Sequence, residues 1–469
     1  MRFLLPRPPV PRAAVYALAV AVTATAPVAA QLSLRDALHA ADQTAFGNRA
    51  AAGATAAQQA QTVAPLRGVL PALRIESGYL RTTDPVGTFG TALRQRAITP
   101  ADFDPARLNY PAAVGNYQAG VVLEQPLLNA DAWAGRRAAM QARDATVAQQ
   151  QWTIVTTHAD VIRAYYGAVL AAERASTLAS ASAAAHAHVT QAESMVKDGI
   201  ATKSDALLAA VRAGEIDIQW ADAQGAVRSM AAALQVALGH DPATSAVLPA
   251  LLPPTTRIRE VVAPDTVAEP IGVRADVSAA KLGVDAAQSD ALRANSAYAP
   301  RLNAFARYDW NSATNLYGGD KNWTVGVMAT WSPFGGPAEV ADAGAARGRE
   351  AAARAQADAA VARSRLEADQ TRTALVVALT RLEIAERAVV QSAEAHRIIA
   401  RKYEGGLATI VELLDAQAAE TQSALALEQS RAGAIVAAAD HRLALGRDPA
   451  SLAAIEDRSA VAAIHDFDR

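Results

Sequence analysis

Cysteine is absent from all 469 residues of this chain, and its absence excludes several classes of site. Without a thiol there is no disulfide framework, no cysteine nucleophile, no cysteine-based metal site and no lipid attached to an N-terminal cysteine. Charge of one sign is not in excess either, because 44 Lys and Arg residues are balanced by 46 Asp and Glu residues. The chain therefore lacks the basic surface that binds nucleic acid, and nucleic acid is not expected as a partner.

Long hydrophobic runs are also missing after the first thirty residues. No stretch of 18 apolar residues without a charge occurs there. This excludes a membrane-spanning helix, since such a helix needs about 20 apolar residues. If the chain enters a membrane, it must do so as a closed β-barrel.

Sequence motifs for catalysis and cofactor binding are missing as well. There is no GxSxG, Walker-type or GxGxxG sequence. His186 and His188 form a His-x-His pair, but residues two apart on a helix do not share a face, and no carboxylate cluster joins them. We therefore predict that the protein is not an enzyme and has no catalytic residue, no metal site and no cofactor.

Residues 1–30 have the pattern of a secretory signal peptide. Three arginines within the first twelve residues make a basic start, residues 13–26 are apolar, and small residues precede a predicted cleavage site before Gln31. The apolar run is shorter than the ~20 residues of a membrane anchor. The sequence therefore predicts an exported protein.

The chain contains an internal repeat at a fixed offset of 207 residues. Gly-Ile-Ala-Thr at 199–202 returns as Gly-Leu-Ala-Thr at 406–409, and Leu-Gly at 238–239 returns at 445–446. Each copy therefore has one hairpin turn and one helix stop in the same register. The predicted domains are a signal peptide at 1–30, a first repeat at 31–242, a linker at 243–270, a second repeat at 271–449 and a C-terminal tail at 450–469.

Composition predicts very long helices. The sequence is rich in Ala with interspersed Glu, Arg, Gln and Asp, which favour helix, and proline is absent from 131–197 and 338–447. A helix of ~65 residues would be about 100 Å long. Small and apolar residues also recur in steps of three and four, as in coiled coils. These positions are Val411, Leu414, Ala418, Thr421 and Leu425 in the second repeat, and Ser204, Leu207, Val211, Gly214 and Ile218 in the first.

Each repeat also has two segments whose apolar residues alternate, as in β-strands, near 73–79, 117–123, 302–310 and 323–331. An apolar face with aromatic residues near the strand ends is typical of membrane-spanning strands, although a half-buried soluble hairpin shows the same alternation. Four strands cannot close a barrel alone, so several chains must associate. The residues predicted for the aromatic and lipid-facing surface are Tyr79, Tyr117, Tyr308, Trp310, Trp323, Val325 and Trp331. Residues 81–115 and 311–322 are predicted to be loops outside the membrane.

In order and spacing, these segments resemble the TolC-type outer-membrane efflux proteins, also called outer-membrane factors. The matching motifs are LPAL at 70–73, QPLL at 125–128, APRL at 299–302, SPFGG at 332–336, and YEGG at 403–406 followed by TIVELLD at 409–415. Each motif is weak alone. Their order, repeated over essentially the whole mature chain, makes the resemblance specific.

The resemblance implies a mostly α-helical fold with a transmembrane β-barrel. Each chain of a homotrimer would give four strands to a shared 12-stranded barrel in the cell outer membrane, and a long coiled-coil helical tunnel would continue into the periplasm. The expected partners are a periplasmic adaptor (membrane fusion protein), an inner-membrane pump and outer-membrane lipid.

By the same resemblance, the protein would be the passive exit duct of a tripartite efflux or type I secretion system, carrying small compounds or a polypeptide. The alternative is a soluble periplasmic coiled-coil adaptor or scaffold protein. An adaptor would be expected to carry a lipoyl-like β-domain beside one hairpin, whereas this chain has two hairpins and two pairs of strands.

Glu412 and Asp415 are three residues apart and share one face of the helix that follows the second hairpin turn. By analogy with the family they would point into the pore as a periplasmic aperture. A trimer would then hold six carboxylates in a ring that favours cations and raises some of its own pKa values. The alternative is a pair of solvated carboxylates stabilised by the helix dipole.

The hairpin turns contain Gly199, Gly405 and Gly406, and Gly405 and Gly406 can adopt positive φ where the helix must end and the chain reverse. Thr409 is expected to cap the following helix. The resemblance also assigns Asp205 and Tyr403 to a latch that ties the inner helices shut. Ala408 departs from the family pattern, because an arginine there can act as a charged partner.

Overall fold

The computed structural model describes residues 31–244, 248, 251–266, 272–316 and 318–456. The predicted signal peptide, parts of the predicted linker and the end of the predicted tail lie outside these residues. The helices are α1 (Leu34–Thr44), α2 (Phe46–Gln61), α3 (Pro85–Arg94), α4 (Pro105–Asn109), α5 (Ala130–Lys197), α6 (Lys203–Ala237), α7 (Thr255–Val262), α8 (Ala275–Ser296), α9 (Pro337–Glu404) and α10 (Ile410–Ala444). The strands are β1 (Ala72–Thr82), β2 (Val114–Leu128), β3 (Arg301–Ser312) and β4 (Asp320–Thr330). Short 3-10 helices cover Ala64–Gly68, Pro100–Phe103, Ala263–Thr266 and Pro449–Ile455.

The long helices confirm the predicted mostly helical fold. Helices α5 and α9 have 68 residues each, and α6 and α10 have 35 each. At 1.5 Å per residue, α5 and α9 are each about 100 Å long. Both ends of each long helix recur at the 207-residue offset. Helix α5 packs along α6, and α9 along α10, so each repeat contains one long helical hairpin.

Among the described residues, no helix combines the length and the hydrophobicity that a membrane crossing requires.

The coiled-coil stripe predicted on α6 does not pack against the helices of its own chain. Leu207, Val211 and Ile218 are 59%, 59% and 65% exposed. In the same part of α6 the buried positions are instead Ala209 and Ala213. Their small side chains allow close helix approach, so the intrachain contact lies on a neighbouring face of the helix. The same periodicity fits either face, and the sequence pattern pointed to the one that remains exposed.

The main hydrophobic core lies where α1 and the 3-10 helix Pro449–Ile455 pack against α5 and α10. Leu34 of α1, Ile162 of α5, Ile435 of α10 and Leu452 of the 3-10 helix Pro449–Ile455 are fully buried there. The Tyr165 hydroxyl donates to the Leu32 carbonyl oxygen at 2.9 Å. The first residues of the predicted C-terminal tail therefore belong to the core.

A buried histidine ties α1 and the start of the 3-10 helix Pro449–Ile455 to α5. The Nε2 atom of His158 lies 2.8 Å from Asp42 of α1, and its Nδ1 atom lies 2.7 Å from Asp448. Two carboxylates accept hydrogen bonds from one ring only if both ring nitrogens carry protons, so the geometry selects the charged imidazolium. Burial opposes that charge, but the hydrogen bonds to Asp448 and Asp42 raise the pKa of His158.

The part of the predicted linker that the structure describes is held firmly against the long helices. Arg431 of α10 donates to Glu173 of α5 at 2.8 Å and to the carbonyl oxygens of Leu252 and Pro253. Glu173 in turn accepts a hydrogen bond from the Leu252 backbone N–H at 2.7 Å. Because this ion pair is buried, removing either partner would leave an uncompensated charge.

The four strands form one antiparallel sheet in the order β1-β2-β3-β4. This confirms the four predicted strands and extends most of them by a few residues. The predicted long loop between β1 and β2 is partly helical, because it contains α3, the 3-10 helix Pro100–Phe103 and α4. The Gln95 side chain ties α3 to β2 by donating to the Gly115 carbonyl oxygen and to Asn116 Oδ1, both at 2.9 Å.

Candidate functional site: a two-faced sheet and two hairpin tips

The register of the sheet places most of the large apolar side chains on one face. One complete rung on this side consists of Ile75, Val121, Tyr308 and Trp323. The next rung toward the helices consists of Leu73, Leu123, Ala306 and Val325. We call this side the apolar face. Its side chains are uncovered, since Ile75 is 76% exposed and Val325 is 64% exposed. An exposed apolar surface of this extent marks a contact with lipid or with another protein.

Aromatic side chains lie at both ends of the apolar face. Near the loops, the rings of Tyr79 and Tyr117 are 4.7 Å apart, and the rings of Tyr308 and Trp310 are 4.8 Å apart. At the opposite end, Trp331 follows β4, and its indole N–H donates to the Tyr298 carbonyl oxygen at 3.1 Å. The structure thus places five of the predicted aromatic residues toward the loops and Trp331 at the opposite end. Their contact with lipid stays a prediction.

The distance between Trp323 and Trp331 is close to the height of an outer-membrane apolar band. These residues are eight positions apart, which is about 27 Å along an extended strand. At the usual barrel-strand tilt of about 35 to 45° this is a height of about 20 Å, and the apolar band of outer-membrane barrels is about 25 Å tall and is bounded by aromatic residues on both sides.

The other side of the sheet carries charges, and we call it the polar face. Arg307 Nε lies 2.8 Å from Asp309 Oδ1, and an Arg307 terminal nitrogen lies 4.0 Å from Glu76. Arg74 lies 3.5 Å from the same Glu76. Our sequence reasoning did not select these residues. Their alternation with apolar neighbours was visible, but their proximity depends on pairing between β1, β2 and β3, which are far apart in sequence.

Two of the three glycines in the hairpin turns adopt positive φ. Gly199 has φ +74° and Gly406 has φ +70°, both in the left-handed region. Gly405 does not use this conformation, because its φ is −85°. The Leu407 N–H donates to the Lys402 carbonyl oxygen at 2.7 Å, and the Gly406 N–H donates to the Tyr403 carbonyl oxygen at 3.0 Å. In this helix ending only one residue needs the left-handed conformation, and Gly405 still belongs to the last helical turn.

Glu412, one of the two predicted aperture residues, closes a capping box at the start of α10. Its carboxylate accepts hydrogen bonds from the Thr409 backbone N–H at 2.7 Å and from the Thr409 hydroxyl at 3.1 Å. These bonds hold the pKa of Glu412 below its usual value. Asp415 is exposed one turn further along the helix. Both carboxylates remain open to solvent near the hairpin tip, and their place in an aperture stays a prediction.

The two predicted latch residues lie near each other without a hydrogen bond between them. Asp205 is engaged by its own capping box, accepting from the Thr202 backbone N–H at 2.9 Å. Tyr403 is 4% exposed and packs in the small tip core with Ile410 and Leu413. Among the described residues its hydroxyl has no hydrogen-bond partner. Burial and the nearby charge of Asp205 raise the pKa of Tyr403. Their role as a latch stays a prediction.

The two histidines of the His-x-His pair point to different partners. His186 Nε2 lies 3.0 Å from Asp217 Oδ2, and the His188 ring packs against His396 with 6.0 Å between centroids. Within the residues that the structure describes, no group of three or more His, Cys, Asp or Glu side chains is placed to hold a metal ion.

Comparison with known proteins gives a family match and several structural matches. Residues 271–447 match the model of the family described as outer membrane efflux protein. No curated protein sequence matches the chain. Three crystal structures have TM-scores of 0.72. They are a membrane protein from Pseudomonas aeruginosa, the outer membrane protein VceC from Vibrio cholerae and the CmeC outer membrane channel from Campylobacter jejuni.

These structures are similar in fold and distant in sequence. The Pseudomonas aeruginosa protein is 20% identical, with 88% of this chain and 93% of that chain covered. VceC is 17% identical, with 88% and 96% covered, and CmeC is 14% identical, with 92% and 88% covered. The family match over residues 271–447 and the fold of nearly nine-tenths of the chain confirm its resemblance to the TolC-type outer-membrane efflux proteins.

Proposed function

We propose that this protein is the outer-membrane exit duct of a tripartite efflux or type I secretion system. The observation that carries the proposal is the exposed apolar face of the sheet, bounded by aromatic groups and attached to two hairpins about 100 Å long. The apolar face would contact lipid, and the helices would extend into the periplasm.

The sheet supports assembly into a homotrimer. Strands β1 and β4 are its edges, and an edge strand in a bilayer leaves backbone groups without hydrogen-bond partners. Three copies of a four-stranded sheet would close a 12-stranded barrel by pairing the β4 edge of one chain with the β1 edge of the next. The exposed stripe at Leu207, Val211 and Ile218 of α6 would then gain a partner in the assembly.

The helical part supports contacts at the far end of a tunnel. The hairpin tips at Gly199 and Gly406 are the most distant points from the sheet along the long helices. The exposed Glu412 and Asp415 lie beside one of these tips, where a trimer would bring six carboxylates together. A periplasmic adaptor and an inner-membrane pump are the partners that such a tip would require, and energy would come from the pump.

The alternative of a soluble periplasmic scaffold has little support. A soluble protein would leave Ile75, Val325 and their neighbours on the apolar face in water, and large exposed apolar patches are rare on soluble monomers. No catalytic residue is part of the proposal.

Cell fractionation followed by light scattering of the detergent-extracted protein tests this function. We expect recovery in the outer membrane and, after subtraction of the detergent, a mass about three times that of the mature chain, which is the 48.7 kDa of the full chain less the cleaved residues 1–30. A periplasmic monomer or dimer would refute the duct and favour the scaffold. Outer-membrane recovery with a mass of one chain would refute the shared barrel alone.

A further inference from the structure

We infer that the polar face carries a two-rung charge filter that selects among charged solutes inside the barrel. The arginine rung is formed by Arg74 and Arg307, and the acidic rung is formed by Glu76 and Asp309. This inference rests on the proposed function, because it requires the polar face to line the lumen. It adds a selectivity element separate from the predicted aperture at the hairpin tips.

The strand register places the members of each rung side by side across β2. Arg74 lies opposite Val122, and Val122 lies opposite Arg307. One step along, Gly120 separates Glu76 from Asp309 in the same way. Successive side chains on one face are two residues apart, so the rungs are separated by about 7 Å along the strands. Three copies would place six guanidinium groups beside six carboxylates, and each set would follow the strand tilt of about 35 to 45° around the barrel.

Gly120 makes room for the acidic rung. A Cβ atom placed on it would lie 2.5 Å from Asp309 Oδ1, well inside contact distance. The Asp309 carboxylate thus lies over β2 and accepts from Arg307 Nε with both oxygens at 2.8 Å. A larger residue at 120 would push this carboxylate away from Arg307.

The charged groups remain open to the space in front of the polar face. The side chains of Arg74, Glu76 and Arg307 are 67%, 44% and 43% exposed, and that of Asp309 is 22% exposed. They can therefore act on solutes that pass the sheet. A partly paired guanidinium still has N–H donors that bind carboxylate or phosphate groups.

The order of the rungs gives the filter a direction. Strand β1 starts on the helical side of the sheet and ends at the loops, so Arg74 is nearer the helices than Glu76. A solute leaving the tunnel would reach Glu124, which accepts a hydrogen bond from Asn303 at 3.0 Å, then the arginine rung and then the acidic rung. Anionic groups are attracted at the arginine rung and repelled on either side of it. The two rungs carry opposite charge. Neutralising the arginine rung and neutralising the acidic rung should therefore shift the ion selectivity in opposite directions.

Reversal potentials of single channels in a KCl gradient test the filter. The measurements use the full-length protein with Glu412→Gln and Asp415→Asn, so that the tip carboxylates do not mask the barrel. We expect Arg74→Gln with Arg307→Gln to raise the K⁺/Cl⁻ permeability ratio about twofold or more. Glu76→Gln with Asp309→Asn should lower it by a similar factor. Arg81→Gln, on the apolar face of β1, is the matched control and should leave the ratio unchanged.

Each outcome separates the filter from the proposed function. Channels whose ratio does not change in either pair, or shifts in the same direction in both, would refute the filter while leaving the duct intact. Absence of any channel in the parent protein would refute the duct itself. If a paired variant does not form trimers, the single variants Arg307→Gln and Asp309→Asn decide the sign of the shift.

Discussion

Four glycines at equivalent positions of the two repeats provide a test of helix-end sterics with one kind of substitution. Gly199 and Gly406 end α5 and α9 at the hairpin tips, with φ +74° and +70°. Gly239 and Gly446 follow α6 and α10 near the main core, with φ +79° and +76°. Replacement by alanine costs about 1 to 2 kcal/mol in each left-handed conformation. A gain of about 0.4 to 1 kcal/mol from a stiffer unfolded chain offsets part of this cost.

The surroundings of the four positions separate their expected effects. A Cβ atom at Gly239 would overlap the Thr44 carbonyl group, 2.5 Å from its carbon, and lie 2.9 Å from Ala45 Cα. These are backbone atoms, so overpacking adds about 1 to 3 kcal/mol. Gly239→Ala should therefore lower the free energy of unfolding by about 1 to 5 kcal/mol, which is the left-handed cost less the offset plus the overpacking. At Gly446 the nearest atom is Arg274 Cγ, at 3.1 Å. That contact is looser, so an intermediate loss is expected.

At Gly199 and Gly406 nothing lies within 4 Å of the added Cβ atom. Their alanine variants should lose only about 1 kcal/mol, from the conformation alone. Thermal melts followed by far-ultraviolet circular dichroism, in one detergent and at one scan rate, should rank the midpoints. Gly239→Ala should melt lowest, then Gly446→Ala, then the two tip variants. Equal shifts of the melting midpoint in all four alanine variants would show that contacts around the added Cβ atom do not decide the loss of stability.

The remaining predictions concern pH, the aperture and the lipid-facing surface. The raised pKa of His158 means that its stabilisation is fully present below the ordinary value of about 6.5 and is lost as the pH rises through the raised value. The melting midpoint of the wild type should fall over that pH range. The midpoint of His158→Asn should not change with pH over the same range, and an equal fall in that variant would contradict the assignment to His158. Glu412→Gln with Asp415→Asn should reduce cation preference and block by multivalent cations, and unchanged reversal potentials would remove both residues from the aperture. Val325→Arg should cost up to about 2 to 4 kcal/mol if that face meets lipid at mid-depth, and normal trimer assembly would contradict this orientation.

Local signals were sufficient for the helices, turns and strands. The capping boxes at Thr202 and Thr409 involve residues three apart, and the left-handed Gly199 and Gly406 each lie three residues before one of these threonines. Such features depend on nearby residues, so one sequence predicts them. Gly405 shows the limit of this reasoning, because the composition of a turn does not tell which of two adjacent glycines needs positive φ.

Contacts between residues that are far apart in sequence were not predicted by the periodicity or the motifs. The bonds of His158 to Asp42 and Asp448 join three separate parts of the chain, and Arg431 meets Glu173 across two helices. The charge rungs of the polar face require the β1, β2 and β3 register. No spacing in the sequence encodes these contacts, because they arise only when the elements pack.

The sequence by itself determined the repeat, the long helices, the four strands and the resemblance to the efflux family, because periodicity, proline and glycine act over a few residues. Tertiary structure alone decided which face of α6 is buried in the chain. It also decided that the first tail residues join the core and that Arg74, Glu76, Arg307 and Asp309 stand together. Those features depend on packing and ion pairing between elements that are far apart in sequence. These interactions form only when the whole chain has folded.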